Sequence, residues 1–108
     1  INVEGVRATV ISPARYELTG NVTNTSEDAR EVTLRAQITF YDRTAPKGDL
    51  PLDYLRKDIT EVLRPGENRA VRVVLLRSGA PLHDAVRLEP FLRIRRQRVW
   101  LLNDKEVK

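Results

Sequence analysis

Five apolar residues in strict alternation constrain this chain most. Val32, Leu34, Ala36, Ile38 and Phe40 share one parity, and Thr33, Arg35, Gln37, Thr39 and Tyr41 share the other. A strand sends successive side chains to opposite faces, so the alternation gathers the apolar set on one surface. A helix, with its period of 3.6, would scatter them around its circumference. Leu34, Ile38 and Phe40 are therefore expected in the core, with Arg35 and Gln37 facing away. A slip of one residue would send every one of them to the wrong face. Residues 16–24 repeat the pattern, with Tyr16, Leu18, Gly20, Val22 and Asn24 against Glu17, Thr19, Asn21 and Thr23. Thr25-Ser26-Glu27-Asp28 lies between the two runs and is rich in turn formers. Strands joined by so short a polar loop most often pair antiparallel, and that pairing is expected here.

The rest of the chain reads in the same idiom. Residues 3–11 suit an edge strand, ended by Ser12-Pro13-Ala14, because proline lacks the N–H that a central ladder needs. After Asp42 comes an irregular stretch with Pro46, Gly48 and Pro51, whose Leu50 and Leu52 are expected to tuck against the core rim. Residues 54–63 carry both a helical stripe (Leu55, Ile59, Val62, Leu63) and β-branched residues ahead of a turn; we read them as strand. The turn is Arg64-Pro65-Gly66-Glu67. Proline presets φ near −65° and glycine accepts φ > 0, as a type II turn requires. Residues 68–76 follow as a strand. Its Val73-Val74-Leu75-Leu76 is apolar on both faces, which predicts a central or covered position. A further strand holds Val86, Leu88, Phe91, Leu92 and Ile94 and is interrupted by Pro90; a last apolar run spans residues 99–102. An unbroken strand with Ile94 inward would also turn Arg96 and Arg98 inward, where unpaired charge is costly. A bulge or bend at residues 95–97 is expected to resolve that conflict. The tail from Asn103 is expected to fray. Six or seven short strands with turn signals between them predict an all-β chain folded as an antiparallel β-sandwich of about seven strands.

Length and composition bound the function. A chain of 108 residues suits one domain, residues 1–108, able to bury a core without staples. Cysteine is absent, so there is no disulfide framework and no thiolate chemistry. Methionine is absent even at position 1, so Ile1 is expected to lie within a longer gene product or to follow a processing site. No stretch approaches the roughly 20 apolar residues of a membrane-spanning helix. Residues 1–54 carry 6 basic and 8 acidic side chains, and residues 55–108 carry 13 and 7, which makes the second half the basic one.

Gly20-x-Val22-x-Asn24, then Ile38-Thr39-Phe40-Tyr41-Asp42, then Leu63-x-Pro65-Gly66-Glu67 together resemble the pattern of the FxLYD-type domains and related domains of bacterial envelope proteins. The likeness covers about residues 16–76. It departs at Ile38 and Phe40, where the family pattern has phenylalanine and leucine, and in the glycine delayed to Gly48. The resemblance implies an immunoglobulin-like sandwich in an exported or membrane-tethered, extracytoplasmic protein with no established chemistry. The motif residues also have structural roles on physical grounds. Gly20 leaves room for a bulky neighbour or a bulge, Asn24 closes the turn with its side chain, Asp42 caps the following loop, and Tyr41 packs on an outer face or bonds a backbone group.

No catalytic constellation accompanies these signals. His83 is the only histidine; beside Asp84 it would make half a dyad, but no serine elbow or cysteine nucleophile goes with it. One imidazole and no thiolate cannot close a zinc site. Asp49, Asp53 and Asp58 lack a calcium-loop spacing, and the five glycines are isolated, so no phosphate-cradling loop exists. Asn21-Val22-Thr23 and Asn24-Thr25-Ser26 match the glycosylation acceptor pattern, but neither is expected to be modified. No cofactor and no enzymatic activity are expected. Arg93, Arg95, Arg96 and Arg98, near Phe91 and Trp100, are the candidate anion-binding residues, since guanidinium and aromatic groups together bind nucleic acid or anionic lipid. The same arginines would also serve as gatekeepers against edge pairing. The expected function is a non-catalytic structural or protein-interaction module whose partner is another protein or a neighbouring domain. The alternative is binding of an anionic polymer or surface through the arginine cluster.

Overall fold

The computed structural model describes residues 1–42, 51–78 and 86–100. Six strands lie among them: β1 (Asn2–Ser12), β2 (Arg15–Thr23), β3 (Arg30–Asp42), β4 (Asp53–Leu63), β5 (Asn68–Leu76) and β6 (Val86–Val99). They form two antiparallel three-stranded sheets, ordered β1-β2-β5 and β4-β3-β6. The inward face of each sheet is the apolar parity of its strands. Leu18 and Val22 from β2, Val71, Val73 and Leu75 from β5, Leu63 from β4, Leu92 from β6 and the whole β3 set from Val32 to Phe40 make one core. Leu34, Ile38 and Phe40 are fully buried there, and Arg35 and Gln37 lie on the opposite face, as the alternation requires. Tyr16 meets Phe40 edge to face across the two sheets, ring centroids 5.1 Å apart, and its hydroxyl donates to the Pro13 carbonyl at 3.1 Å.

The expected pairing of the two alternating runs does not occur. β2 pairs with β1 and β5, whereas β3 pairs with β4 and β6. Two strands that each carry a strong apolar face gain more by covering each other across the core than by lying side by side with both faces uncovered. The link between them is therefore an arch from one sheet to the other, and Asn24 shapes it. This residue is fully buried. Its Nδ2 donates to the carbonyls of Asp28 (2.8 Å) and Leu63 (3.1 Å), and its Oδ1 accepts from the Ser26 N–H (3.0 Å) and hydroxyl (2.6 Å). Its backbone bonds the second arch, from β4 to β5, through Glu67 O and Gly66 N at 2.9 and 2.8 Å. That second arch is the expected tight turn: Glu67 N donates to Arg64 O at 3.0 Å, and Gly66 takes φ 76°.

Gly20 faces inward opposite a break in β1, where the register jumps between Glu4 and Arg7 around Gly5 at φ 62°. A Cβ on Gly20 would stand 3.2 Å from Leu92 Cδ2 and 3.5 Å from Val6 Cγ2, so its smallness admits both neighbours. Two ion pairs clasp the sheets at opposite ends of the β4–β5 side. Arg69 bonds Glu61 at 2.8 Å and Glu67 at 2.6 Å, and Arg77 bonds Asp53 at 2.9 Å.

Three other expectations change. Among the described residues β5 lies at the edge of its sheet rather than in its centre, and the second apolar parity of its Val-Val-Leu-Leu run lies on the outer face, where Leu76 is 70% exposed. Pro90 does not interrupt β6, because an edge strand has one side on which a missing N–H breaks no ladder bond. Leu52 does not tuck in: it is 50% exposed, and only its N–H is engaged, on the Phe40 carbonyl at 2.8 Å. Residues 54–63 are strand, and β1 lies at an edge, as expected. The seventh strand is not among the described residues. Leu50, the loop after Asp42 and the tail from Asn103 also lie outside them.

Candidate anion-binding face

β3 carries polar residues on the parity opposite its core set, and register brings residues of β4 and β6 beside them. Arg35 stands directly between Asp58 of β4 and Arg93 of β6. Glu31 faces Arg98, Thr33 faces Arg96, Gln37 lies between Arg56 and Phe91, and Tyr41 faces Arg87. The strand run from Ile94 would have placed Arg96 and Arg98 inside, but the register against β3 shifts between Thr33 and Leu34. Leu34 meets Ile94 and Thr33 meets Arg96, leaving Arg95 as the extra residue of a bulge. One inserted residue thus keeps Ile94 on the core side and turns Arg96 and Arg98 out. The result is a face on which Arg35, Arg56, Arg87, Arg93, Arg95, Arg96 and Arg98 stand against Glu31, Asp58 and Glu89.

Some of that charge is internally matched. Arg35 grips Asp58 through two nitrogens, at 2.9 and 3.3 Å, and Arg98 grips Glu31 in the same way, at 2.9 and 3.3 Å. Arg87 pairs with Glu89. The hydrogen bond from Arg35 holds the Asp58 carboxyl below its ordinary pKa against the desolvation it feels, and the charges of Arg35, Arg95 and Arg56 add to the effect. The same bond raises the guanidinium pKa of Arg35. Arg93, Arg95 and Arg96 have no carboxylate partner among the described residues, and all three are exposed.

Aromatic rings support the cations. Arg56 lies over Tyr54 at 4.9 Å from the ring centroid, Arg87 over Tyr41 at 4.7 Å, Arg93 over Phe91 at 5.2 Å and Arg98 over Trp100 at 5.4 Å. A guanidinium stacked on a ring keeps its in-plane N–H groups directed outward, where they are able to bond an oxyanion. Tyr41 packs on the outer face, one of the two roles expected of it.

The four arginines singled out in the sequence do lie together, with Arg98 already engaged by Glu31. Sequence reasoning missed Arg35, Arg56 and Arg87 as members of the same face. Their outward parity was legible, but their neighbours belong to strands far away in the chain. His83, Asp84 and Asp49 lie outside the described residues. Asp53 and Asp58 are on opposite faces of β4 and each pairs with an arginine, so these two do not gather around a cation. Among the described residues no cluster of three metal-ligating side chains occurs. Asn24 is buried and fully bonded, which removes it as a glycan acceptor. A shallow hollow on the other sheet, lined by Gly5, Arg7, Thr19, Asn21, Ala70 and Arg72, holds no nucleophile or base beyond hydroxyl and amide groups. Comparison with protein-family models, curated proteins and solved structures finds no match.

Proposed function

We propose that this domain is a non-catalytic binding module that presents the outer face of the β4-β3-β6 sheet to an anionic polymer or surface. The observation that carries the reading is the group of Arg93, Arg95 and Arg96, exposed and without a carboxylate partner among the described residues, on a face that also carries aromatic rings. Exposed guanidinium groups at close quarters repel one another until an anion joins them, and several such contacts release counterions on binding.

We read the sandwich as immunoglobulin-like. β2 lies beside β5 in one sheet and β3 beside β6 in the other, which matches the B–E and C–F neighbours of that architecture. The FxLYD-type resemblance points the same way, and with it comes a setting in the bacterial cell envelope, outside the cytoplasm. A second reading, a structural or protein-interaction domain with no polyanion, is favoured by the Arg35–Asp58 and Arg98–Glu31 pairs, which neutralise part of the face.

Heparin chromatography separates the two readings. Replacing Arg93, Arg95 and Arg96 with serine should lower the salt concentration of elution well below that of a variant with serine at Arg7, Arg15 and Arg64, which loses the same net charge away from this face. Co-elution of the two variants would discard the polyanion reading in favour of the structural one.

A further inference from the structure

Among the described residues the two sheets end in four edge strands, and an edge strand offers unpaired backbone to any other strand. Three of the four edges carry a device against that. β1 is broken around Gly5 and shifts register again between Val10 and Ser12. β6 contains Pro90 and the Arg95 bulge. β4 places the exposed Lys57 on an inward register position opposite Ala36, between Arg56 and Asp58. β5 has none of these. It pairs with β2 in unbroken register from Arg15↔Leu76 to Thr23↔Asn68, and on its other side no strand lies among the described residues. Between Arg69 and Arg77 it reads Ala-Val-Arg-Val-Val-Leu-Leu, with no proline, no glycine and one charge, the composition that favours strand addition.

That one charge does not guard the edge. Arg72 bonds Glu17 through Nε at 2.6 Å, and Glu17 belongs to β2, in register with Val74. The guanidinium is therefore drawn back over its own sheet, away from the open side. Arg69 and Arg77, at the two ends, are held by Glu61 and Asp53 of the other sheet. On the outer face Val74 is half-buried and Leu76 is 70% exposed.

We propose that β5 is a dimerisation edge: two copies of this chain join their β5 strands antiparallel about a two-fold axis at Val73, fusing two β1-β2-β5 sheets into one. The strand is self-complementary in that register. Val71 meets Leu75 of the second copy on the inward face; Ala70 meets Leu76 and Arg72 meets Val74 on the outer face. Arg69 then meets Arg77, each already bonded to its own carboxylate. Centring the pair on Arg72 instead would set Leu75 against Arg69 and Leu76 against Asn68, so that neither leucine would meet an apolar partner. The contact is isologous and closes on itself, so it stops at two copies. An acidic peptide as occupant is less suited, because Glu17 already satisfies Arg72.

Sedimentation equilibrium over a range of concentrations tests this. The 12.4 kDa chain should approach twice its mass as concentration rises. Val74→Lys should raise the dimer dissociation constant about tenfold or more, since it sets a lysine against Arg72 of the second copy at two symmetric places. Within its own chain the new lysine gains Glu17 as a neighbour, so the fold should persist, which circular dichroism checks. Leu76→Lys, at a position already exposed, should weaken the dimer too, whereas Ile11→Lys on β1 should leave it intact. A mass that stays monomeric up to millimolar concentration overturns the proposal. So does a dimer that Ile11→Lys weakens and Val74→Lys does not.

Discussion

The side-chain amide of Asn24 donates to the carbonyl of Leu63, 39 residues further along the chain, at 3.1 Å. Through that bond, and the backbone bonds to Gly66 and Glu67, one buried residue ties the β2–β3 arch to the β4–β5 arch, two of the places where the chain passes between sheets. Asn24→Ala leaves the buried carbonyl of Leu63 without its donor and frees the β2–β3 arch. A loss of about 2–4 kcal/mol is expected in urea melts. Asn24→Asp should be worse at neutral pH, because a carboxylate only accepts hydrogen bonds and two carbonyls face it. Its deficit relative to the parent protein should shrink in acid, where the protonated group regains one donor. A deficit independent of pH would show that the donors are not what matters.

Ile38 and Arg35 lie three residues apart on opposite faces of β3. Ile38→Ala should cost about 2–5 kcal/mol, as truncations of fully buried aliphatic residues do, and lower the melting temperature by about ten degrees or more. Arg35→Ala removes the ion pair with Asp58 and a side chain that is 14% exposed, but it opens no cavity in the core and should shift the melt less. Comparable shifts for the two variants would mean that the outer face, rather than the core, holds this strand.

Gly20 and Gly66 are needed for different reasons. Gly66 has φ 76° and open space around a prospective Cβ. Gly66→Ala should therefore cost about 1 kcal/mol of backbone strain alone, and Gly66→Asn less. Gly20→Ala meets Leu92 Cδ2 at 3.2 Å and should cost about 1–3 kcal/mol through overpacking. In a Leu92→Val background the penalty at Gly20 should fall while that at Gly66 stays constant. A double-mutant cycle showing no coupling between positions 20 and 92 would refute the steric account.

Acid should destabilise the protein in a defined way. The Arg64 N–H bonded to its carboxylate, and after it Arg69, hold Glu67 below the usual carboxylate range; Arg35 does the same for Asp58. A depressed folded pKa means that the native state favours the ionised form. The stabilisation is complete above the unfolded pKa of about 4 and is lost as pH falls through the lower folded value. Glu67→Gln keeps an acceptor for the Arg64 N–H but cannot titrate. Thermal melts between about pH 5 and pH 2 should thus decline less steeply for Glu67→Gln than for the parent. Parallel curves would rule Glu67 out as a contributor.

Local features were legible because their causes are local. Alternation placed the β3 core set, proline with glycine wrote the turn at Gly66, and the conflict between Ile94 and Arg96 foretold the bulge. Pairing was not legible. The Thr25–Asp28 loop reads alike whether it closes a hairpin or an arch; what decides is how the two apolar faces cover each other, which depends on strands elsewhere. The double-sided apolar run of β5 looked like burial on both faces, yet Val74 and Leu76 lie on an outer face. The arginine face was half visible for the same reason: Arg93 to Arg98 sit together in the chain, whereas Arg35 and Arg56 reach them only through register.

The Arg95 bulge lets one unbroken stretch of chain serve the interior at Ile94 and the surface at Arg96. An in-frame loss of that single codon would close the bulge into regular antiparallel ladder, because Arg96 would then follow Ile94 directly and still stand opposite Thr33. Arg98 would likewise stay opposite Glu31. The deletion would remove one guanidinium and the local kink, and leave the other side chains of the strand on the faces they already occupy. A shortening by one residue at this place should therefore be read by the molecule as a straighter edge rather than as an inverted strand.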